Sequence, residues 1–421
     1  MSTLGRSRDR RSRRRPKQPE RTVSQAARPL HAATPHEILQ GEVTDPHFLR
    51  TREVLEATGR DPVVTAEIRP ETLPRGWPWA VLAGTTEAVS LLADREVDVA
   101  GLPEGSVIYA EEPALVIYGR YLGFGDLTTS LLGVLCQATG VATAAARLKL
   151  AAGGHPVYAS GARRVHPAVA PVVDRAAYVG GCDAVSTVKG GELVGVAPAA
   201  TIDHDLALLL GEEEAWRAFD ETVDGGVPRI VTVDTSLDER AGAVAAAEAL
   251  GKRLAAVRLD VPTSRRGDLG RILREVRWEL DARGHHRVRI LVSGNLGESA
   301  IRNLSRHADG FYVEDAIAAA PVVDFGLEIV EVDDDPRARR GILSGRKRLW
   351  RCEGCGNRGI APAGARLGRC PRCRGHLGDA LVSMVRGGRP VGGTVQASAA
   401  RRRALEEARA AVGVEGPGER A

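Results

Sequence analysis

The sequence predicts an α/β protein: an incomplete (βα) barrel, an N-terminal α+β sandwich domain and a small C-terminal zinc-binding module. Three observations predict it. Across residues 151–320, short apolar strands alternate with amphipathic helices, the rhythm of parallel βαβ units. Ahead of them, residues 35–150 mix helices with alternating strand patterns. Near the C-terminus stand two Cys-x2-Cys pairs.

Taken in order, residues 1–34 form a basic tail. The run Arg10 to Arg15 repels itself and builds no core, so the tail is expected to be disordered. His36 to Gly59 reads as two short helices. Pro62 to Ile68 alternates and suits a strand, and Trp77 to Val99 holds a strand and a helix. Ser106 to Tyr118 reads as a hairpin turning at Glu111-Glu112-Pro113. Thr129 to Arg147 is an apolar helix, with Ala144 to Ala146 small enough for close backbone approach. In the barrel, strands are expected at His155–Ser160, Arg229–Asp234, Leu254–Asp260, Val288–Ser293 and Gly310–Val313. Their helices are Ala168–Val179, Ala241–Leu250, Leu269–Ala282 and Glu298–Arg306. Residues 321–350 return to complete the first domain through a strand at Gly326–Val332 and a charged linker. The knuckle module covers 351–378, and 379–421 is a C-terminal extension with a helical segment after Ser398.

Composition excludes several classes. At 43% hydrophobic and 27% charged the chain is that of a globular protein. No apolar run reaches the roughly 18 residues of a membrane span, and the Arg-rich start lacks the apolar stretch of a secretory signal. The net charge of +4 is misleading, because residues 1–30 carry ten Lys/Arg against two Asp/Glu and the remainder 48 against 52. A slightly acidic body argues against nucleic-acid binding. Six cysteines, four of them in knuckles and Cys136 and Cys182 in apolar surroundings, fit a reducing cytoplasm rather than a disulfide scaffold.

The chemistry-bearing signal is positional. Predicted strands end in Asp234-Thr235, Asp260 and Ser293-Gly294-Asn295. Polar residues at the C-terminal ends of barrel strands face the active site, although Asp there also serves as a helix N-cap. A fourth strand end carries Ser160-Gly161-Ala162-Arg163-Arg164-Val165-His166-Pro167, and Ser264-Arg265-Arg266-Gly267 follows Asp260. Arg grips phosphate in a planar, bidentate way. Two Arg pairs and two carboxylates at one mouth suggest a substrate with several phosphates and a bound Mg²⁺, which prefers carboxylates plus substrate phosphates. Ser293-Gly294-Asn295, ahead of a helix, offers backbone N–H groups to a phosphate.

With these stretches the chain resembles the nicotinate phosphoribosyltransferases, in the archaeal and bacterial form with a C-terminal zinc module. The likeness runs from about Glu37 to about Arg374. It is carried by Thr44-Asp45-Pro46-His47-Phe48-Leu49-Arg50-Thr51, Leu131-Leu132-Gly133 with Gln137-Ala138-Thr139-Gly140, Arg163 to Pro167, Asp174 to Gly181, Asp234-Thr235, Arg258-Leu259-Asp260 with Ser264-Arg265-Arg266-Gly267, and Val292 to Leu296. The resemblance implies transfer of the ribosyl 5-phosphate of phosphoribosyl pyrophosphate to the ring nitrogen of nicotinate, giving nicotinate mononucleotide for NAD synthesis. It implies that Asp234 and Asp260 stabilise an oxocarbenium-like transition state and help bind Mg²⁺. On the same resemblance Arg163 and Arg164 would bind the substrate carboxylate and pyrophosphate, joined by His166, Thr235 and Arg265 as further substrate contacts. Ser293, Gly294 and Asn295 hold the 5′-phosphate. His204 stands where similar enzymes have a histidine phosphorylated by ATP. His47 takes the place of a Tyr that stacks on the pyridine from a neighbouring subunit, which implies a homodimer or larger assembly. Tyr312-Val313-Glu314-Asp315 replaces the family's Gly-rich phosphate segment, and its two carboxylates are expected to oppose a phosphate. Quinolinate is the competing acceptor, with Lys189 or Arg175 for its second carboxylate. A non-catalytic ligand-binding copy is the reading from another class.

Cys352-x2-Cys355 and Cys370-x2-Cys373 have the spacing of a closed four-thiolate Zn²⁺ site. Four Cys leave no open position, so this zinc is expected to be structural.

Overall fold

The structure is a computed structural model that describes residues 30–199, 201–260, 267–392 and 395–413. The predicted tail lies almost wholly outside the described residues. Contacts divide the chain between Ala33 and Thr34, and every described helix and strand lies in the second unit.

Two short helices open it, α1 (Pro35–Leu39) and α2 (Pro46–Ala57). Thr34 and Glu37 close a reciprocal capping box on α1, and Pro occupies the first turn of both helices, where its missing N–H costs nothing. Then come β1 (Val63–Thr72), β2 (Ala80–Val81), α3 (Thr85–Leu92), β3 (Val97–Gly101), β4 (Val107–Ile108) and β5 (Leu115–Arg120). Val64, Ala66 and Ile68 alternate inward from β1. The hairpin expected over Ser106–Tyr118 does not form. β4 pairs with β2, and β5 instead lies between β1 and β3. Glu111 adopts φ +67° in the connection between the two strands, which lie in different sheets.

The 24-residue α4 (Thr128–Ala151) is the wall between two cores. Leu131 and Leu135 pack with the antiparallel sheet, whereas Val141, Ala142, Ala145, Ala146 and Leu148 pack with the parallel one. Gly125–Ala151 is long and apolar enough to cross a membrane, more than the sequence reading allowed, but 67% of its most apolar window is buried inside the protein. Burial on both sides explains the all-round apolarity.

The second layer contains β6 (Val157–Ala159), α5 (Ala170–Val179), α6 (Val188–Val194), α7 (His204–Leu210) and α8 (Glu212–Thr222). It continues with β7 (Arg229–Thr232), α9 (Glu239–Leu250), β8 (Leu254–Asp260), α10 (Leu269–Ala282), β9 (Arg289–Ser293), α11 (Glu298–Leu304), β10 (Gly310–Val313) and α12 (Asp315–Ala318). The five strands are parallel in the order β6-β10-β9-β8-β7, so the first strand pairs with the last. Between β6 and β7 the chain lays extended pieces along the seam. Tyr158 bridges Ala184 in parallel, and Ile202 donates its N–H to the Ile230 carbonyl. The helices α6 to α8 cover this side and were not read from the sequence.

β11 (Asp324–Val332) returns to the first sheet beside β1, and β12 (Asp335–Pro336) edges it. β13 (Lys347–Cys352), β14 (Arg358–Pro362) and β15 (Leu377–Asp379) make the three-stranded cysteine module. The residues read as an extension complete the other layers. β16 (Val382–Arg386) pairs with β3, with β17 (Arg389–Pro390) at the edge, and α13 (Ala397–Val412) inserts Ala400, Ala404 and Ala408 into the parallel-sheet core.

Candidate active site at the strand ends

Side chains alternate between the two faces of a strand. Val231, Val257, Val292, Phe311 and Val157 belong to the core shared with the helices. Ile230, Ala256, Leu291, Tyr312 and Tyr158 form a separate small cluster on the opposite, inner face. Counting on in twos along each strand, Asp234, Asp260, Ser293, Glu314 and Ser160 fall on that inner side at the C-terminal ends. Five strands thus present three carboxylates and two hydroxyls on one face at their C-terminal ends.

On that face Asp234 and Asp260 are joined. The Asp260 backbone N–H donates to Asp234 Oδ2 at 2.7 Å. Asp234 Oδ1 is buried and has no partner. Burial pushes the Asp234 carboxyl above its ordinary range, against the pull of the Asp260 amide and of nearby His204. The Arg258 Nη2 stands 3.4 Å from Asp260 Oδ2 and 3.6 Å from Asp203 Oδ1, with its guanidinium over the Tyr312 ring. His204 opens α7, where Asp203 caps the helix by accepting the His204 N–H. Its Nδ1 lies 3.0 Å from Thr235 Oγ1 and its Nε2 3.8 Å from Asp260 Oδ2. His204, Thr235, Asp234 and Asp260 therefore share one wall.

The Arg163-Arg164 pair lies on a 3₁₀ turn just after β6. Arg163 is bidentate on Glu314, at 2.9 and 2.7 Å, and Arg164 joins the same carboxylate at 2.6 Å. Arg164 Nε reaches Asp315 at 2.8 Å. Burial alone raises the Glu314 carboxyl, but the two guanidinium groups override it and hold it below its ordinary value. The expected opposition between Glu314-Asp315 and a phosphate thus meets compensation, since both carboxylates are already matched by arginines. The Arg163 side chain is 63% exposed, and its guanidinium also feels Asp260 and Asp203, so it stays open to solvent on the side of those carboxylates.

Other predicted residues fall in mixed positions. Ser293 pairs in register with Asp260, and its buried hydroxyl donates to the Leu259 carbonyl at 3.2 Å. Gly294 has φ +113°, a conformation that glycine adopts freely, and Asn295 after it is exposed. His166 is exposed and turned to its own loop, accepting the Ala168 N–H on Nδ1 at 3.2 Å. His47 is exposed on α2, its ring tilted 45° to that of Phe48 with centroids 4.0 Å apart; among the described residues no hydrogen bond or ion pair joins its side chain to the strand-end carboxylates. Arg265 lies outside the described residues. Sequence reasoning missed Arg258 and Tyr312 as inner-face residues. The two-residue strand period, extended back from Asp260, contained the signal for Arg258.

The four knuckle cysteines converge. Cys352, Cys355, Cys370 and Cys373 place their Sγ atoms within 4.8 Å of one another. Cys136 and Cys182 stand apart, and burial pushes the Cys182 thiol up to about 12.

Comparison with known proteins gives this geometry relatives. The family profile described as "Quinolinate phosphoribosyl transferase, N-terminal domain" matches residues 48–139, and its C-terminal counterpart matches 141–328. Nicotinate phosphoribosyltransferase pncB1 of Mycobacterium tuberculosis is 32% identical over 316 residues, 66% of this chain and 69% of that protein. The crystal structure of nicotinate-nucleotide pyrophosphorylase from Pyrococcus furiosus superposes with TM-score 0.89 at 45% identity, covering 92% of this chain and all of that one. Human nicotinic acid phosphoribosyltransferase shares the fold, with TM-score 0.70 at 21% identity over 86% of this chain and 93% of that one. On these matches the chain belongs to the nicotinate phosphoribosyltransferase family.

Proposed function

We propose that the protein transfers the ribosyl 5-phosphate of phosphoribosyl pyrophosphate to the ring nitrogen of nicotinate at the Asp234–Asp260 wall. The observation that carries this reading is the joined carboxylate pair, with one Asp234 oxygen buried and unpartnered. The C1–O bond breaks and its electron pair leaves with pyrophosphate. The pyridine nitrogen lone pair forms the new C1–N bond. Between these events C1 carries positive charge, and two fixed carboxylates stabilise it without reorganising. Arg163, held rigid by Glu314, meets the departing anion or the pyridine carboxylate with its open face. The turn at Gly294 supplies backbone N–H groups for the 5′-phosphate, while the Ser293 hydroxyl orients that turn through Leu259.

Asp234 and Asp260 are the carboxylates that would hold a Mg²⁺, a hard cation that prefers carboxylates together with substrate phosphates. Such an ion supplies charge neutralisation at the pyrophosphate. His204 suits a phosphoryl acceptor coupling ATP to the transfer, and acid-labile label on His204 after incubation with labelled ATP checks it. Nicotinate is favoured over quinolinate because the basic groups available for a second carboxylate are committed. Arg175 is held by Glu104 at 2.7 and 2.8 Å, and Lys189 pairs with Glu192 at 2.6 Å.

We read the five parallel strands as an incomplete βα barrel flanked by residues 183–199 and 201–202, and the cysteine cluster as a structural zinc site. His47, exposed and not bonded to the strand-end carboxylates, fits supply of an aromatic ring to a second copy in a homodimer or higher assembly. Free thiols suit a reducing cytoplasm. Pyrophosphate release from phosphoribosyl pyrophosphate tests the function. Release is expected with nicotinate and not with quinolinate. Ligand binding without release would leave only a binding protein.

A further inference from the structure

At the other end of the parallel strands lies a cleft of about 300 Å³ between α10 and the loop leading into β10. His155 precedes β6, and Arg306, His307 and Asp309 precede β10, so the cleft sits at the N-terminal strand ends. Asp309 and Glu314 are five residues apart across β10, roughly 17 Å at strand rise. The cleft is therefore a different site from the Asp234–Asp260 wall.

Its composition needs an explanation. Trp278 is 74% exposed on α10, while Trp79 and Trp216 are buried. Arg274 lies one turn before it, on the same helix face. Arg306 stands on the other lining segment. Among the described residues neither the Arg274 nor the Arg306 guanidinium has a hydrogen bond or ion pair to another side chain or to the backbone, and both residues are exposed. The acidic lining residues are already used. Asp281 takes Arg277 at 2.7 Å and His286 at 3.2 Å, and Asp309 accepts the Ile290 N–H at 2.8 Å. Arg277 is further fixed by the Val288 and His285 carbonyls, at 2.6 and 3.0 Å. The cleft thus has a floor fixed by the bonds of Arg277, two exposed guanidinium groups without a protein partner, two imidazoles and one exposed indole.

We propose that this cleft binds a nucleoside monophosphate. The indole face takes the base by stacking. Arg274 and Arg306 provide planar donors suited to a phosphate. The volume lies at the small end of ligand sites, enough for one base and one phosphate rather than a dinucleotide.

The test uses the full chain and titrates AMP, adenosine and inorganic phosphate against tryptophan fluorescence and equilibrium dialysis. AMP is expected to quench fluorescence more strongly than either fragment, and the quench is expected to vanish in Trp278→Leu. Dialysis is expected to show AMP affinity falling about tenfold in Arg274→Gln and again in Arg306→Gln, the size of one charge-assisted bond each. Pyrophosphate release in the absence of AMP stays unchanged in all three. Three results overturn the proposal: no AMP binding at millimolar concentration, AMP affinity equal in wild type and both arginine variants, or inorganic phosphate binding as tightly as AMP. A smaller assembly in solution for Trp278→Leu also overturns it, by making the face a contact between copies. Since none of these readouts needs turnover, the proposal fails or stands apart from the assigned activity.

Discussion

Asp234 carries a tension visible in single atoms. Burial raises its carboxyl, one oxygen accepts the Asp260 amide, and the other has no partner. A charge held where folding disfavours it destabilises the resting protein. Asp234→Asn keeps an oxygen for the Asp260 N–H and removes that charge. We expect a higher Tm at pH 7 together with a loss of about 10²–10³ in kcat, the scale for removing one preorganised electrostatic group. Thermal melts and steady-state rates of the same preparation check both. Glu314 behaves oppositely. Its carboxyl is held below the ordinary 4.5 by Arg163 and Arg164. A depressed folded value contributes stability that is present above about 4.5 and lost as pH falls through the lower folded value. Glu314→Gln should be less stable than wild type at pH 7, and the two denaturation midpoints should converge in acid. The strand-end aspartates were legible in the sequence because polar residues interrupt apolar runs there. The arginine clamp was not, because Arg163 and Glu314 are 151 positions apart and only the closure of β6 on β10 joins them.

Among elements, the fit of α9 on β7 sets the position of the aspartate wall. A Cβ at Gly242 would collide with the Val233 carbonyl, the residue before Asp234. Gly242→Ala must push helix from strand, so we expect a loss of about 1–3 kcal/mol in urea denaturation, the range for overpacking. A fall in kcat with little change in KM is also expected, from the shifted carboxylate. The element pattern was well marked where one period dominated, as in β7 to β10 and α9 to α11. It misled at Ser106–Tyr118, where two strands and an acidic turn look like a hairpin. Pairing there is decided by distant partners, β2 for one strand and β1 and β3 for the other, and local sequence holds no record of them.

For the whole molecule, the C-terminal quarter ties the layers together. Lys347 reaches buried Glu67 at 2.9 Å, Arg358 donates to the Val107 carbonyl at 2.7 Å, and Arg351 bonds Glu407 of α13 at 2.5 Å. The spacing of the cysteines announced the module. The partners of its arginines were hidden, since charged residues beside a knuckle look the same whether they face solvent or a neighbouring layer. A metal binding four thiolates contributes its binding energy to folding. Chelator at pH 7 should release one zinc per chain and lower the Tm, and Cys355→Ser should melt at the lower value with or without chelator. Single-turnover pyrophosphate release from phosphoribosyl pyrophosphate and nicotinate, in wild type and Asp260→Asn, addresses the carboxylate wall most directly. Release by the wild type is expected, with a rate at least about 100-fold lower in the variant and sugar-phosphate binding retained. Equal rates in the two proteins would contradict a catalytic role for the wall.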